Sequence, residues 1–169
     1  NRREVVLLDL QNETTIEHTV AAFEDSGILA WSHSQIPGEP WPTLREMIRE
    51  DRRFVVFSAR EDDAPAWLHA KSDFIYGTSS HYEAPEELDC VLTSDPIPHG
   101  LLDVTHILTN PIADPENAEA INHNPFLRDR IDGCIAEGGR LPTLIGVDFY
   151  TIGDILEVEF EASSFDAVV

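Results

Sequence analysis

Glu4-Val5-Val6-Leu7-Leu8-Asp9-Leu10-Gln11 is an almost continuous apolar run that meets an acid and an amide at its far end. A strand wet on one side alternates apolar with polar residues. This run is apolar on both parities, the pattern of a strand covered on both faces of a parallel sheet. Similar runs recur at Phe54-Val55-Val56-Phe57-Ser58, over 101–108, and at Leu144-Ile145-Gly146-Val147-Asp148-Phe149. Helical stripes lie between them. Ile16, Val20 and Phe23 precede Gly27, with Asn12 or Thr14 as the expected cap. Leu44, Met47 and Ile48 follow Thr43, with Glu46 placed to complete a capping box. Leu127, Ile131, Cys134 and Ile135 run up to Gly138-Gly139. Residues 73–76 read as one more short strand and 78–100 as irregular. Asp154 reads as the cap of a final helix, although 155–160 also alternates as a strand would.

Buried strands alternating with helices imply an α/β fold, either doubly wound or a barrel. About five strand-helix units are countable. A complete eight-unit barrel takes about 250 residues, so the 169 residues match the later part of a TIM-type β/α barrel. Residues 1–169 are thus expected to form one partial barrel domain that lacks the early strands. The chain opens on Asn1 and enters a strand almost at once, which reads as the start of a fragment or processed piece.

Acidic residues number 32 against 11 basic ones, for a formal net charge of -21, and Lys71 is the only lysine. A nucleic-acid partner is excluded on this count, because a polyanion requires clustered Lys and Arg. With 42% hydrophobic residues the chain is no disordered acidic tail. No run reaches the ~18 apolar residues of a membrane span. The preference for arginine over lysine and the acidic excess point to a saline or extracellular setting. Cys90 and Cys134 are the two cysteines. They form one disulfide if the protein is secreted and two buried thiols if it is cytoplasmic. Asn12-Glu13-Thr14 is a glycosylation sequon.

In parallel α/β architectures, polar residues at the carboxyl ends of strands are the default site candidates. Asp9 and Gln11 end the face begun by Val5 and Leu7. Ser58 and Arg60 stand at the same place on the second strand, and Asp148 and Tyr150 on the last, after Gly146. A lone acid at a strand end commonly caps a loop; three such ends together point to function. His106 is a further candidate to face the mouth, against the ordinary role of a hydrogen-bonded strand histidine. No nucleophile elbow, phosphate-binding glycine loop, dinucleotide fingerprint or zinc spacing is present.

Taken in order, these segments form a series. After Glu4 to Asn12 come Pro37-Gly38-Glu39-Pro40-Trp41-Pro42-Thr43-Leu44, Arg53-Phe54-Val55-Val56-Phe57, Thr105-His106-Ile107-Leu108-Thr109-Asn110-Pro111, Gly139-Arg140-Leu141-Pro142, and Val147-Asp148-Phe149-Tyr150 with Gly153-Asp154. The series resembles the phosphatidylinositol-specific phospholipase C X-domain-like phosphodiesterases over nearly the whole chain, most specifically at Trp-Pro-Thr-Leu and Val-Asp-Phe-Tyr-x-x-Gly-Asp. The resemblance implies a distorted TIM-type barrel that cleaves a phosphodiester, with a phosphoinositide-like small molecule or lipid as substrate. Such enzymes use one histidine as general base and another as general acid, with arginine or calcium on the phosphoryl oxygens. Their catalytic histidines lie on early strands, in His-Asn/Asp and Cys-His-Gly-like contexts that this chain does not contain, which implies a chain inactive by itself.

Position by position, Gln11 stands where calcium-dependent members carry a metal-binding Glu. Its amide is a weaker donor to Ca2+ than a carboxylate, and Asp9 is the nearby acid. Arg60 corresponds to a basic residue that contacts the substrate phosphate. Asp148 corresponds to a last-strand Asp that orients the base histidine, and Tyr150 lines the mouth. Two functions follow as expectations: part of a phosphoric diester hydrolase, supplying later strands and part of its pocket, or a non-catalytic half-barrel that binds without chemistry.

Overall fold

The two most apolar runs of the sequence pair with each other. The structure, a computed structural model, describes residues 3–11, 14–59, 64–109 and 112–158. The chain divides into two compact units, residues 1–75 with 97–100 and residues 76–96 with 101–169.

In the first unit, Val6–Leu10 (β1) lies parallel to Phe54–Ser58 (β2), with Val6 opposite Phe54 and Leu10 opposite Ser58. Leu68–Ala70 (β3) joins the other side of β2, also parallel. β2 is therefore central, and Val55, Val56, Phe57 and Ser58 are all buried, as its unbroken apolar run requires. β1 departs from the expectation of cover on both faces. It is an edge strand of this sheet; Val6, Leu8 and Leu10 are half-buried while Leu7 and Asp9 are exposed.

Ile16–Ser26 (α1) is capped by Thr15, whose Oγ1 accepts the His18 N–H, and not by Thr14; Asn12 lies outside the described residues. The helix stops at Gly27, whose φ of 73° is the left-handed value a side chain disfavours. Leu44–Arg49 (α2) carries the expected capping box. Thr43 N–H donates to Glu46 Oε2 at 2.8 Å, and Glu46 N–H donates to Thr43 Oγ1 at 3.2 Å. Beside it, Trp41 donates its Nε1–H to the His99 carbonyl at 2.9 Å and packs its ring near Phe57, His69 and Phe74. The Trp-Pro-Thr-Leu segment is thus an anchor and a helix cap in one.

Residues 73–76 do not form the single strand expected. Lys71–Phe74 (α3) is one helical turn, followed by Ile75–Gly77 (β4). β4 joins Leu101–His106 (β5) and Leu144–Val147 (β6) in the order β4-β5-β6. β5 and β6 are parallel, with Asp103 opposite Leu144 and His106 opposite Val147. Gly77 is required where it stands, since a Cβ there would lie 2.0 Å from the Asp103 carbonyl oxygen.

Pro115–Ile121 (α4) and Phe126–Gly138 (α5) complete the second unit. Residues 155–158 make a helical turn that starts at Asp154, whose carbonyl accepts the N–H groups of Glu157 at 3.0 Å and Val158 at 3.3 Å, while its carboxylate accepts the N–H of Asn124 at 2.8 Å. Cys90 and Cys134 form a disulfide with a Cα–Cα distance of 5.1 Å, pinning the long 78–100 segment to α5.

The fold is therefore α/β, with parallel strands alternating with helices. The described residues hold six strands, against about five anticipated, and β3 is the addition. Strands adjacent in sequence are adjacent in each sheet, as in a stretch of a β/α barrel; closure of a barrel is not seen among the described residues.

Candidate functional site

At the carboxyl end of the first sheet, register sets three polar residues side by side. Leu10 pairs with Ser58 and Ser58 with Ala70, so Asp9 and Lys71 flank the end of the central strand. The two are joined directly, the Lys71 ammonium donating to Asp9 Oδ2. Both stay open to solvent, with side-chain exposures of 35% for Lys71 and 52% for Asp9. The sole lysine of a strongly acidic chain thus sits at the strand ends where a parallel sheet places its ligands.

Lys71 was not among the expected site residues. Its signal was its singularity, but its partner is 62 positions away. Gln11 follows β1 and is exposed. Arg60 lies outside the described residues.

Asp9, expected with Gln11 to meet calcium, is engaged by the Lys71 ammonium. Among the described residues no group of three or more His, Cys, Asp or Glu side chains converges as a metal site.

In the second unit, His106 is turned into the fold against α5. On β5, Leu102, Val104 and His106 share one parity, and Leu102 and Val104 are buried. His106 is 0% exposed and meets α5. Its Nδ1 accepts from Arg130 Nη1 at 3.0 Å, since a guanidinium only donates, and its Nε2–H therefore donates to the Ile121 carbonyl at 3.0 Å. Both ring nitrogens are committed and the neutral tautomer is set. Burial, reinforced by the Arg130 charge, lowers its pKa to about 4, against a weaker opposing pull from the Ile121 hydrogen bond.

A stability consequence follows with a definite sign. The folded pKa of about 4 lies below the unfolded value of ~6.5, so the unfolded chain binds the extra proton in between. The contribution of His106 is complete above pH ~6.5 and is lost as pH falls toward about 4, by roughly 3 kcal/mol. Urea denaturation at pH 7 and pH 4.5 is expected to show a steeper acid loss for the wild type than for His106→Gln. Parallel losses would remove His106 as the source.

His69, on β3, is built the same way: Gln35 N–H donates to its Nε2 at 2.9 Å and its Nδ1–H donates to the Val56 carbonyl at 2.8 Å. Burial lowers its pKa as well.

Asp148 directly follows β6 and borders a crevice of about 10 Å³ with His106, Asp114 and Asn122. Asn122 fixes this end of the chain, its Nδ2 donating to the carbonyls of Asp148 at 2.9 Å and Ile152 at 3.3 Å. Asp154 N–H donates back to the Asn122 carbonyl at 2.8 Å. Gly153, with φ 93°, is needed for that approach, because a Cβ would fall 2.1 Å from the same carbonyl oxygen. The Gly153-Asp154 pair is therefore a docking element for the segment that carries Asp148. Tyr150 is 66% exposed.

A family model described as the PI-PLC X domain matches residues 1–162. Searches of curated proteins and of solved structures returned no significant match.

Proposed function

The chain belongs to the PI-PLC X-domain family, and on that premise we propose that it supplies later strands and one anion-binding edge of a phosphodiesterase pocket. The ligand is a phosphodiester or phosphomonoester on an inositol-like ring. The observation that carries this reading is the Lys71–Asp9 pair at the carboxyl end of the first sheet. An ammonium carries three donors and Asp9 takes one of them, so a phosphoryl oxygen can share Lys71 with Asp9 through a second charge-assisted hydrogen bond. The cation in this reading is Lys71 rather than calcium. Within the second unit taken by itself, Asp148 is the acid of a strand end and Tyr150 an exposed ring able to pack on a sugar face.

Hydrolysis is assigned to groups other than His69 and His106, whose ring nitrogens are all engaged. This commitment favours binding without chemistry for the chain taken alone. The Cys90–Cys134 disulfide supports an oxidising, extracellular compartment, and no helix among the described residues is long and apolar enough to cross a membrane.

An NMR titration with inositol 1-phosphate tests the proposal. Shifts are expected around Lys71 and Ser58, and Lys71→Met is expected to weaken binding about tenfold or more. Phosphatidylinositol vesicles are expected to remain uncleaved. Unchanged affinity in Lys71→Met would sink the assignment of the cation, and turnover by the wild type would sink the division between binding and chemistry.

A further inference from the structure

A groove of about 410 Å³ runs along α5, walled on its other side by the segment from Pro85 to Val91. Two ties hold these walls together, the Cys90–Cys134 disulfide and the hydrogen bond from Arg130 Nη2 to the Asp89 carbonyl at 3.0 Å. The groove is therefore formed before any ligand arrives. The helix lays Asp129, Gly133 and Glu137 along it at intervals of four residues, which is one stripe of an α-helix. Gly133 leaves the middle of that stripe open, since a Cβ there would meet nothing within 4 Å. Leu88, Val91 and Phe126 supply apolar lining, and Val91 is 66% and Phe126 39% exposed. All of these residues belong to the second unit.

We infer that this groove binds a linear aliphatic diamine, protonated at both ends, with its ammonium groups on Asp129 and Glu137 and its chain across Gly133 against Leu88 and Val91. Charge sets the sign of the ligand. The carboxylates of Asp89, Asp129 and Glu137 line the groove against one guanidinium. That guanidinium belongs to Arg130, is buried, and turns its Nη donors to the Thr105 and Asp89 carbonyls and to His106. The carboxylates of Asp129 and Glu137 are exposed and take no hydrogen bond or ion pair among the described residues. The helix sets the length. Eight residues rise about 12 Å, and an extended chain of nine bonds spans about 11 Å, which describes a diamine of eight carbons. Phe126 stands three residues before Asp129 on the same face, so the ammonium at that end also meets an aromatic ring. None of these residues enters the phosphodiester reading, and the two stand or fall separately.

Octane-1,8-diamine, octylamine and propane-1,3-diamine are titrated into the intact chain at ~0.15 M salt, where charges more than about 8 Å apart are largely screened. Binding is followed by calorimetry and amide NMR. The eight-carbon diamine is expected to bind once per chain and at least about tenfold more tightly than either other amine. Octylamine leaves one carboxylate unmet, and the three-carbon diamine, about 5 Å long, cannot reach both. Shifts are expected at Val91, Phe126 and Gly133.

Two variants locate the site. Asp129→Asn with Glu137→Gln keeps the size of two exposed side chains and removes their charges, and is expected to bring the diamine down to the affinity of octylamine. Gly133→Leu fills the middle of the groove with the better helix former. It is expected to abolish binding of both eight-carbon amines with an unchanged circular dichroism spectrum. Octylamine binding as tightly as the diamine, full diamine affinity in either variant, or several diamines per chain with shifts scattered over the acidic surface would each overturn the inference.

Discussion

Replacing Cys90 and Cys134 together with alanine is expected to lower the thermal unfolding midpoint by roughly 8–16 °C. The bond closes a loop between residues 44 positions apart, and the chain-entropy model gives about 4 kcal/mol for a loop of that length. The loop encloses β5, α4 and the first part of α5. The segment that leads into Cys90 has little regular structure, with the 3₁₀ turn Pro85–Glu87 and an antiparallel bridge from Thr78 to Leu92, and so has little regular hydrogen bonding to hold it when the covalent tie is gone. The double alanine variant, and the wild type in a strong reductant, should shift together in a scanning experiment. A fall of less than about 3 °C would show that the segment is held by its other contacts.

The second large effect is expected at Arg130. Its guanidinium is buried and donates from Nη1 to the Thr105 carbonyl at 2.7 Å and to His106 Nδ1 at 3.0 Å. From Nη2 it donates to the Asp89 carbonyl at 3.0 Å, and it lies over the Tyr82 ring at 5.3 Å. Arg130→Met keeps the apolar stem and removes every donor, so the Thr105 and Asp89 carbonyls and His106 Nδ1 each lose a hydrogen bond. Loss of such a hub costs about 3–5 kcal/mol, or roughly 6–20 °C at this chain length. The same variant removes a positive charge from beside His106, so the acid sensitivity of stability should also become shallower. Arg130→Met with wild-type stability and an unchanged acid profile would show that the network contributes nothing.

The architecture was readable wherever apolar runs were long. The runs beginning at Val5, Phe54, Leu101 and Leu144 all became strands, and the Thr43–Glu46 box capped its helix as written. The misses were short elements. Leu68-His69-Ala70 is three residues long and carries no periodicity of its own; tertiary pairing with β2 makes it a strand. Pro115–Ile121 buries only Ala118 and Ile121, too narrow a stripe to stand out, although Asp114-Pro115 was a legible cap and first-turn proline.

Site residues divided along the same line. Asp9 and Asp148 could be placed at strand ends from their runs. The Asp9–Lys71 contact could not, because it depends on β2 and β3 aligning distant segments. The orientation of His106 was available in principle: it shares its parity with Leu102 and Val104, the side the helices cover.

Arg130 grips the Asp89 carbonyl, and the next residue is Cys90, while Cys134 sits one helical turn beyond Arg130 on α5. The guanidinium and the disulfide therefore fasten the same two segments within a few residues of each other, one by hydrogen bonds and the other covalently. Two ties at one junction are not independent, so the losses from removing each are not expected to add.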